Sequence, residues 1–336
     1  MKNYSTIILV LFIVIFSACK RKYDVEVVPD PLFEKYDSLP NQKIVFVSKA
    51  LDKNGEIYIM NVDGTNIIQL TDDEYVKENP ALSPDGTQIL YTRSNGDWKT
   101  YEICLLDIAS KEITQITNNE FLDGHPDWSP DGKKIIFTSY RKFDGTLIPH
   151  GNIFVMNIDG TNEIALTDND FEDNDAEWSP DGKYIIFKSS RKTADNKEQI
   201  FVMDSLGQNV KRLTFNENSD HDPSWAPDSK SVVFMRYEGK KTWDKFKTSL
   251  FESWNVYKVD LDGNETKVTD FPYIAWLPIY SSDGKYILFC KDFPIVELGI
   301  IVGYDFRFSI MNSDGTDKYQ LINDNVHTTN LSNFDW

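Results

Sequence analysis

The sequence predicts an all-β fold: a six-bladed β-propeller of four-stranded blades, its ring closed by the C-terminal strand. Three observations carry this. A Ser-Pro-Asp-Gly turn recurs along the chain, each copy leads into a short alternating run rich in Val, Ile, Tyr and Phe, and the final residues repeat the start of a unit rather than its end.

The turn appears as Ser83-Pro84-Asp85-Gly86, Ser129-Pro130-Asp131-Gly132 and Ser179-Pro180-Asp181-Gly182. Degraded copies are Ala226-Pro227-Asp228-Ser229 and Ser281-Ser282-Asp283-Gly284, and Pro40-Asn41-Gln42-Lys43 is a worn first copy. Proline fixes φ and glycine tolerates positive φ, so each copy turns the chain tightly between a strand a and a strand b. The strand-b runs are Ile44-Val45-Phe46, Ile89-Leu90-Tyr91, Ile135-Ile136-Phe137, Ile185-Ile186-Phe187, Val232-Val233-Phe234 and Ile287-Leu288-Phe289. Such residues suit pleated strands buried between neighbours. Strand c follows, as in Ile57-Tyr58-Ile59-Met60-Asn61 and Ile153-Phe154-Val155-Met156-Asn157, and an Asp-Gly turn leads into strand d. Units end on runs such as Gln69-Leu70-Thr71 and Arg212-Leu213-Thr214. Repeats of roughly 45–55 residues with four strands each read as propeller blades. Asn333-Phe334-Asp335-Trp336 has the form of His125-Pro126-Asp127-Trp128, the start of a strand a. The last strand therefore completes the blade begun at Ile44, which gives six blades and no free edge.

The N-terminus reads as an address. Lys2 precedes an apolar run from Ile7 to Phe16, with Ser17, Ala18 and Cys19 after it. A run of ten is shorter than the roughly 20 residues a membrane-spanning helix needs, and the order of charge, apolar run and small residues is that of a secretory signal. Cys19 after two small residues resembles the bacterial lipobox, with Phe16 in place of the usual Leu. The expected organisation is a signal peptide over 1–18, a lipidated Cys19 with a tether over 19–39, and the propeller over 40–336. Lys20, Arg21 and Lys22 would lie against anionic headgroups.

The W-S-P-D-G-K-x-I-x-F and I-Y-V-M-N-x-D-G patterns resemble the WD40-like PD40 repeats of the TolB family propeller. The resemblance implies the propeller fold for residues 40–336. In place of that family's N-terminal α/β domain, this chain has the short tether. Relatives of the family include oligogalacturonate lyases, which use a His-bound metal on such a propeller, and serine peptidases with a hydrolase domain.

Function is expected on the face carrying the b–c loops and the d-to-a connections, where the units vary. Loop insertions are predicted at Lys142–Asn152, Tyr237–Trp254 and Lys291–Arg307. The residue three before the strand-a aromatic should line the channel mouth. Blade by blade this gives Asn79, His125, Asp175, Asp222 and Leu277, with Asn333 at the closure and Asn174 and His221 one step earlier. Such a ring reads as solvated pore lining, as a binding site for a peptide or ligand, or as a metal site built from His125, His221, Asp175 and Asp222. In the blade-five insertion Tyr237, Trp243, Phe246 and Trp254 accompany several lysines, a composition suited to a partner surface or to a self-packed flap. Trp128, Trp178 and Trp225 recur with the period and read as core.

No G-x-S-x-G, Walker or G-x-G-x-x-G pattern occurs. Three Cys make no disulfide framework, and Cys104 and Cys290 read as buried thiols, the latter ending a strand b. With 35 Lys plus Arg against 53 Asp plus Glu, the net charge of −18 argues against nucleic acid as partner. Several acids serve the tight turns. The six d-to-a connections hold 19 acids and one base, Lys77, which predicts an acidic rim. The expected protein is a monomeric, non-catalytic binding or scaffolding lipoprotein without a cofactor, held on the outer membrane and facing the periplasm. Its expected partner is an envelope protein or peptide. A metal-dependent lyase with a divalent cation and a glycan-binding uptake component are the alternatives.

Overall fold

The computed structural model describes residues 43–48, 54–97, 100–191, 197–243, 250–271, 274–297, 300–316, 319–320 and 331–335; of these, 240–243, 250–252, 292–297, 300–307, 319–320 and 331–335 are described by backbone alone. Blade one contains β1 (Lys43–Ser48), β2 (Glu56–Asn61) and β3 (Ile68–Gln69); blade two, β4 (Val76–Leu82), β5 (Gln88–Ser94), β6 (Glu102–Asp107) and β7 (Ile113–Gln115). Blade three has β8 (Asp123–Trp128), β9 (Lys134–Arg141), β10 (Leu147–Asn157) and β11 (Ile164–Ala165); blade four, β12 (Asp173–Trp178), β13 (Tyr184–Ser189), β14 (Gln199–Asp204) and β15 (Lys211–Arg212). Blade five has β16 (Asp220–Trp225), β17 (Ser231–Trp243), β18 (Leu250–Asp260) and β19 (Glu265–Lys267); blade six, β20 (Ala275–Tyr280), β21 (Tyr286–Glu297), β22 (Ile300–Asn312) and β23 (Tyr319–Gln320). The last strand, β24 (Leu331–Asp335), pairs antiparallel with β1, so blade one reads β24-β1-β2-β3 and all six sheets are four-stranded. The ring closes as its sequence predicts.

Six apolar clusters lie one at each junction between consecutive blades. The last joins Ile44, Phe46 and Met60 of blade one to Leu288, Cys290 and Phe308 of blade six. Trp128, Trp178 and Trp225 are buried. The indole N–H of Trp128 donates to the Ala81 carbonyl at 3.0 Å and that of Trp225 to the Glu177 carbonyl at 3.2 Å, so each ties one blade to the previous one. Cys104 and Cys290 are buried thiols outside any disulfide, and burial pushes the Cys104 thiol up to about 11.

A polar latch accompanies the clusters. The threonine that ends each of blades one to five sits in the interior and accepts the amide N–H at the start of strand c: Ile57 to Thr71, Ile103 to Thr117, Ile153 to Thr167, Ile200 to Thr214 and Val256 to Thr269, at 2.9–3.0 Å. The same hydroxyl donates to the polar side chain just before that amide, Glu56, Glu102, Asn152, Gln199 or Asn255. That side chain in turn accepts the amide of Asn119, Asn169, Asn216 or Phe271 in the connection to the next blade. The connection asparagines then donate to Asp123, Asp173 and Asp220 at 2.7–2.8 Å, at the head of the next strand a. These three aspartates are buried, against Ser139, Ser189 and Arg236 respectively. At the first junction the polarity inverts: Lys77 occupies the aspartate position, fully buried, 3.1 Å from Glu56 and 2.7 Å from Asp73.

The structure corrects two sequence expectations. The insertions are not free loops: β9 with β10, β17 with β18, and β21 with β22 continue as ladders, out to Trp243↔Leu250 in blade five and Glu297↔Ile300 in blade six. Backbone pairing extends into these stretches, and Cys290 lies within β21 rather than at its end. The acidic rim also loses Asp123, Asp173 and Asp220, which are interior hydrogen-bond acceptors.

Thr117→Val preserves volume but leaves the Ile103 amide and the Glu102 carboxyl without their hydroxyl partner. A loss of about 1–3 kcal/mol is expected, seen as a lower denaturant midpoint at unchanged slope. An unaltered midpoint would show that the latch contributes nothing.

Candidate functional site

In blades two to six strand a carries a register shift in its pairing with strand b, between Glu78/Ala81, Gly124/Asp127, Asn174/Glu177, His221/Ser224 and Trp276/Ile279. Within each bulge one residue takes left-handed backbone: Asn79 (φ 51°), His125 (49°), Asp175 (52°), Asp222 (48°) and Leu277 (51°). Asn, Asp and His accept this region better than other non-glycine residues, and it costs them roughly 1–2 kcal/mol each. The extra residue re-aims its side chain out of the strand's alternation. These are the five positions that spacing from the strand-a aromatic selected, and all five line one central cavity of about 230 Å³. Asn333 lies on β24, described by backbone alone.

The cavity wall is charged on one side and apolar on the other. Blade six contributes Leu277, Pro278 and Ile279, and blades three to five contribute His125, Asp175, Lys188 and Asp222. Asp175 is the hub: one carboxylate oxygen is 2.9 Å from His125 Nδ1 and the other 3.0 Å from Lys188 Nζ. Lys188 also reaches Glu198 at 3.6 Å, and Glu198 lies 3.1 Å from His221 Nδ1. Asn79 Nδ2 is 3.2 Å from His125 Nδ1, tying blade two to the group.

Burial pushes the Asp175 carboxyl up, but Lys188 and His125 beside it overcome this and hold it far below the ordinary range. Burial likewise opposes the charge on Lys188, and Asp175 with Glu198 prevails, so the ammonium is held more tightly than usual. The His125 imidazole is accessible from the channel, with 41% of its side chain exposed, although protein surrounds it. Burial there favours the neutral ring, yet the Asp175 carboxylate raises its pKa. Burial and the Lys188 charge bring His221 down to about 4, leaving it neutral. Asp222 is pushed up to about 7, by burial first and by the Asp175 charge next.

Lys188 and Glu198 escaped the sequence reading. The residue after the strand-b aromatic is Thr92, Thr138, Lys188, Met235 and Cys290 in blades two to six, so the lone cation in that column was the available signal. The Trp254 ring meets the His221 ring edge-on at 5.1 Å and Tyr237 at 5.2 Å, which joins the blade-five aromatics to the charged group. Trp243 stands on β17 with only its backbone described, and Phe246 and Cys19 lie outside the described residues. Among the described residues no three His, Cys, Asp or Glu side chains form a group able to hold a metal ion. The donor set explains this, because the Lys188 ammonium already stands where a cation would meet Asp175 and Glu198.

Removing the ammonium should be costly. Lys188→Met is expected to destabilise the fold by about 3–5 kcal/mol by leaving Asp175 buried without its counterion. Adding Asp175→Asn should restore most of the loss, and equal unfolding midpoints for the single and double variants would contradict the pairing.

Comparison with known proteins agrees with this architecture. A Protein TolB homolog of Chlorobaculum tepidum is 46% identical over 50 residues, 15% of this chain, and the match spans only 11% of that protein's length. The solved structure of a putative TolB from Agrobacterium tumefaciens superposes with a TM-score of 0.62 at 20% identity, covering 83% of this chain and 89% of that one. TolB from Acinetobacter baumannii gives 0.64 at 22% identity, covering 87% and 65%. At those identities the structures establish the fold alone. The family model of the PD40 TolB beta propeller domain matches residues 38–250, more than half of the chain, and the protein belongs to that family.

Proposed function

We propose that this protein is a non-catalytic binding module of the bacterial cell envelope, anchored through a lipid on Cys19 to the outer membrane and facing the periplasm. Its d-to-a connection face engages a protein or peptide partner. The observation that carries this reading is the pairing of exposed aromatics with exposed acids on those connections. Tyr75 is 41%, Phe171 42% and Phe215 71% exposed. Asp72 and Glu74, Asp168 and Asp170, and Glu217 lie exposed beside them. Arg93 stacks over Tyr75 at 4.3 Å and Arg212 over Phe215 at 4.8 Å, which holds these rings in place before any partner arrives. Rigid aromatics with a charged surround are what hot spots are made of, and the latch beneath keeps their connections ordered. The acidic surround selects a basic partner surface and excludes nucleic acid.

In this reading the channel mouth (Asn79, His125, Asp175, His221, Asp222 and Asn333) accepts part of the same partner, and Tyr237, Trp243, Phe246 and Trp254 extend the contact on blade five. Metal-dependent lyase chemistry at His125, His221, Asp175 and Asp222 fits less well. His125 and His221 each face a different carboxylate, and Lys188 lies between those carboxylates.

Affinity capture from native envelope with the full chain tests the proposal. One envelope protein should be retained by the wild type. Asp168→Lys combined with Phe171→Ser should weaken retention at least about tenfold, or about 1.4 kcal/mol, without lowering thermal stability. Equal retention by this variant would remove the connection face from the proposal.

A further inference from the structure

We propose that Asp222 is a proton-binding switch that sets the charge of the central cavity around neutral pH. This deepens the binding role proposed for the channel mouth by adding its regulation. Three consecutive blades aim their left-handed residues, His125, Asp175 and Asp222, into one cavity, and Lys188 enters from β13. Asp175 takes both adjacent cations, at 2.9 and 3.0 Å, and Glu198 shares Lys188 and His221. Among the described residues Asp222 is left without an ion pair or a side-chain hydrogen bond, although it belongs to the same cluster.

Asp127 and Glu177 also line this cavity, and His221, held neutral, adjoins Asp222 on β16. Asp175 from β12 and Glu198 before β14 repel the ionised form of Asp222, and Lys188 from β13 and His125 from β8 attract it, each already engaged by Asp175 or Glu198. With Asp222 protonated and His125 charged, Lys188 and His125 balance Asp175 and Glu198 within this group of five. Ionising Asp222 leaves one uncompensated negative charge on the wall, and loss of the His125 proton leaves a second. The cavity thus gains negative charge as pH rises and becomes a stronger receptor for positive charge, at the mouth that the partner is proposed to enter.

The sign for stability follows from linkage. Burial raises the folded-state pKa of Asp222 to about 7 against the ordinary 3.8, so between those values the folded state holds a proton that the unfolded state has released. Its contribution to stability is full below the unfolded pKa, declines as pH rises through that interval, and is lost above the folded pKa.

Segmental ¹³C-carboxyl NMR of the free protein tests this without any partner, so its failure is separable from failure of the binding role. The Asp222 carboxyl should titrate between pH 6 and 8, roughly two or more pH units above an exposed aspartate. Asp222→Asn should raise the thermal midpoint at pH 8 and leave it nearly unchanged at pH 4. Lys188→Gln, by removing the cation that most favours ionised Asp222, should move the Asp222 midpoint further up. An Asp222 midpoint below pH 5, or an Asp222→Asn variant whose thermal midpoint runs parallel to the wild type across this range, would overturn the switch.

Discussion

The structure depends on the buried threonine that ends each of blades one to five. A propeller blade buries its two faces against neighbours but leaves the first amide of strand c and the turn into the next blade facing the interior, where an unpaired polar group costs about 1–3 kcal/mol. One hydroxyl answers both needs: it accepts that amide and donates to the side chain that holds the next connection. Adjacent blades are therefore joined by polar bonds of fixed geometry as well as by apolar contact, and the connection loops inherit their order from the interior. The inverted first junction obeys the same rule. Lys77 replaces the aspartate, and Asp73 stands where Asn119, Asn169 and Asn216 stand at the next three junctions, while Glu56 matches Glu102.

The second constraint is the bulge in each strand a. Without it the strand's alternation would turn these side chains toward a neighbouring blade; with it, one side chain per blade points down the axis. Identity at that position is then free to differ, because the backbone is held by the ladder on either side of the bulge. Blades three, four and five place His, Asp and Asp there, and blade six places Leu277, an uncomfortable residue for left-handed backbone. The ladder imposes that conformation on it. The result is a cavity with one charged wall and one apolar wall on a scaffold of near-identical repeats. The residues of this ring are chosen one by one, whereas the residues of the latch are chosen by the period.

What could be read in the sequence divides along the same line. The turns were legible because their chemistry is local: proline and glycine declare their φ, and each Asp of Ser83-Pro84-Asp85-Gly86 and its copies accepts from its own neighbours. The closing strand was legible because its pattern matches the start of other units. The five described ring positions were legible because a fixed offset from the last residue of strand a, a tryptophan in blades three to five, selects them. Lys188 was not, since its importance comes from Asp175 and Glu198, which the fold alone brings near it. The extended hairpins were read as loops because Gly, Lys and Asp interrupt the runs, and pairing across a ladder tolerates such residues where a single strand's pattern suggests a break.

The net charge shows how far a bulk property can mislead until the fold sorts it. Of the 19 acids in the d-to-a connections, Asp123, Asp173 and Asp220 are latch acceptors in the interior, and Asp175 and Asp222 face the cavity. Asp72, Glu74, Glu120, Asp168, Asp170, Glu217 and Asp270 remain exposed. Charges of the first kind are neutralised by hydrogen bonds and cations already in place and project little field. Charges of the last kind act over about one Debye length, about 8 Å at physiological salt. An approaching basic partner therefore meets the exposed connection acids first, and the cavity only once it is seated. Steering and final recognition are thus assigned to different residues on the same face.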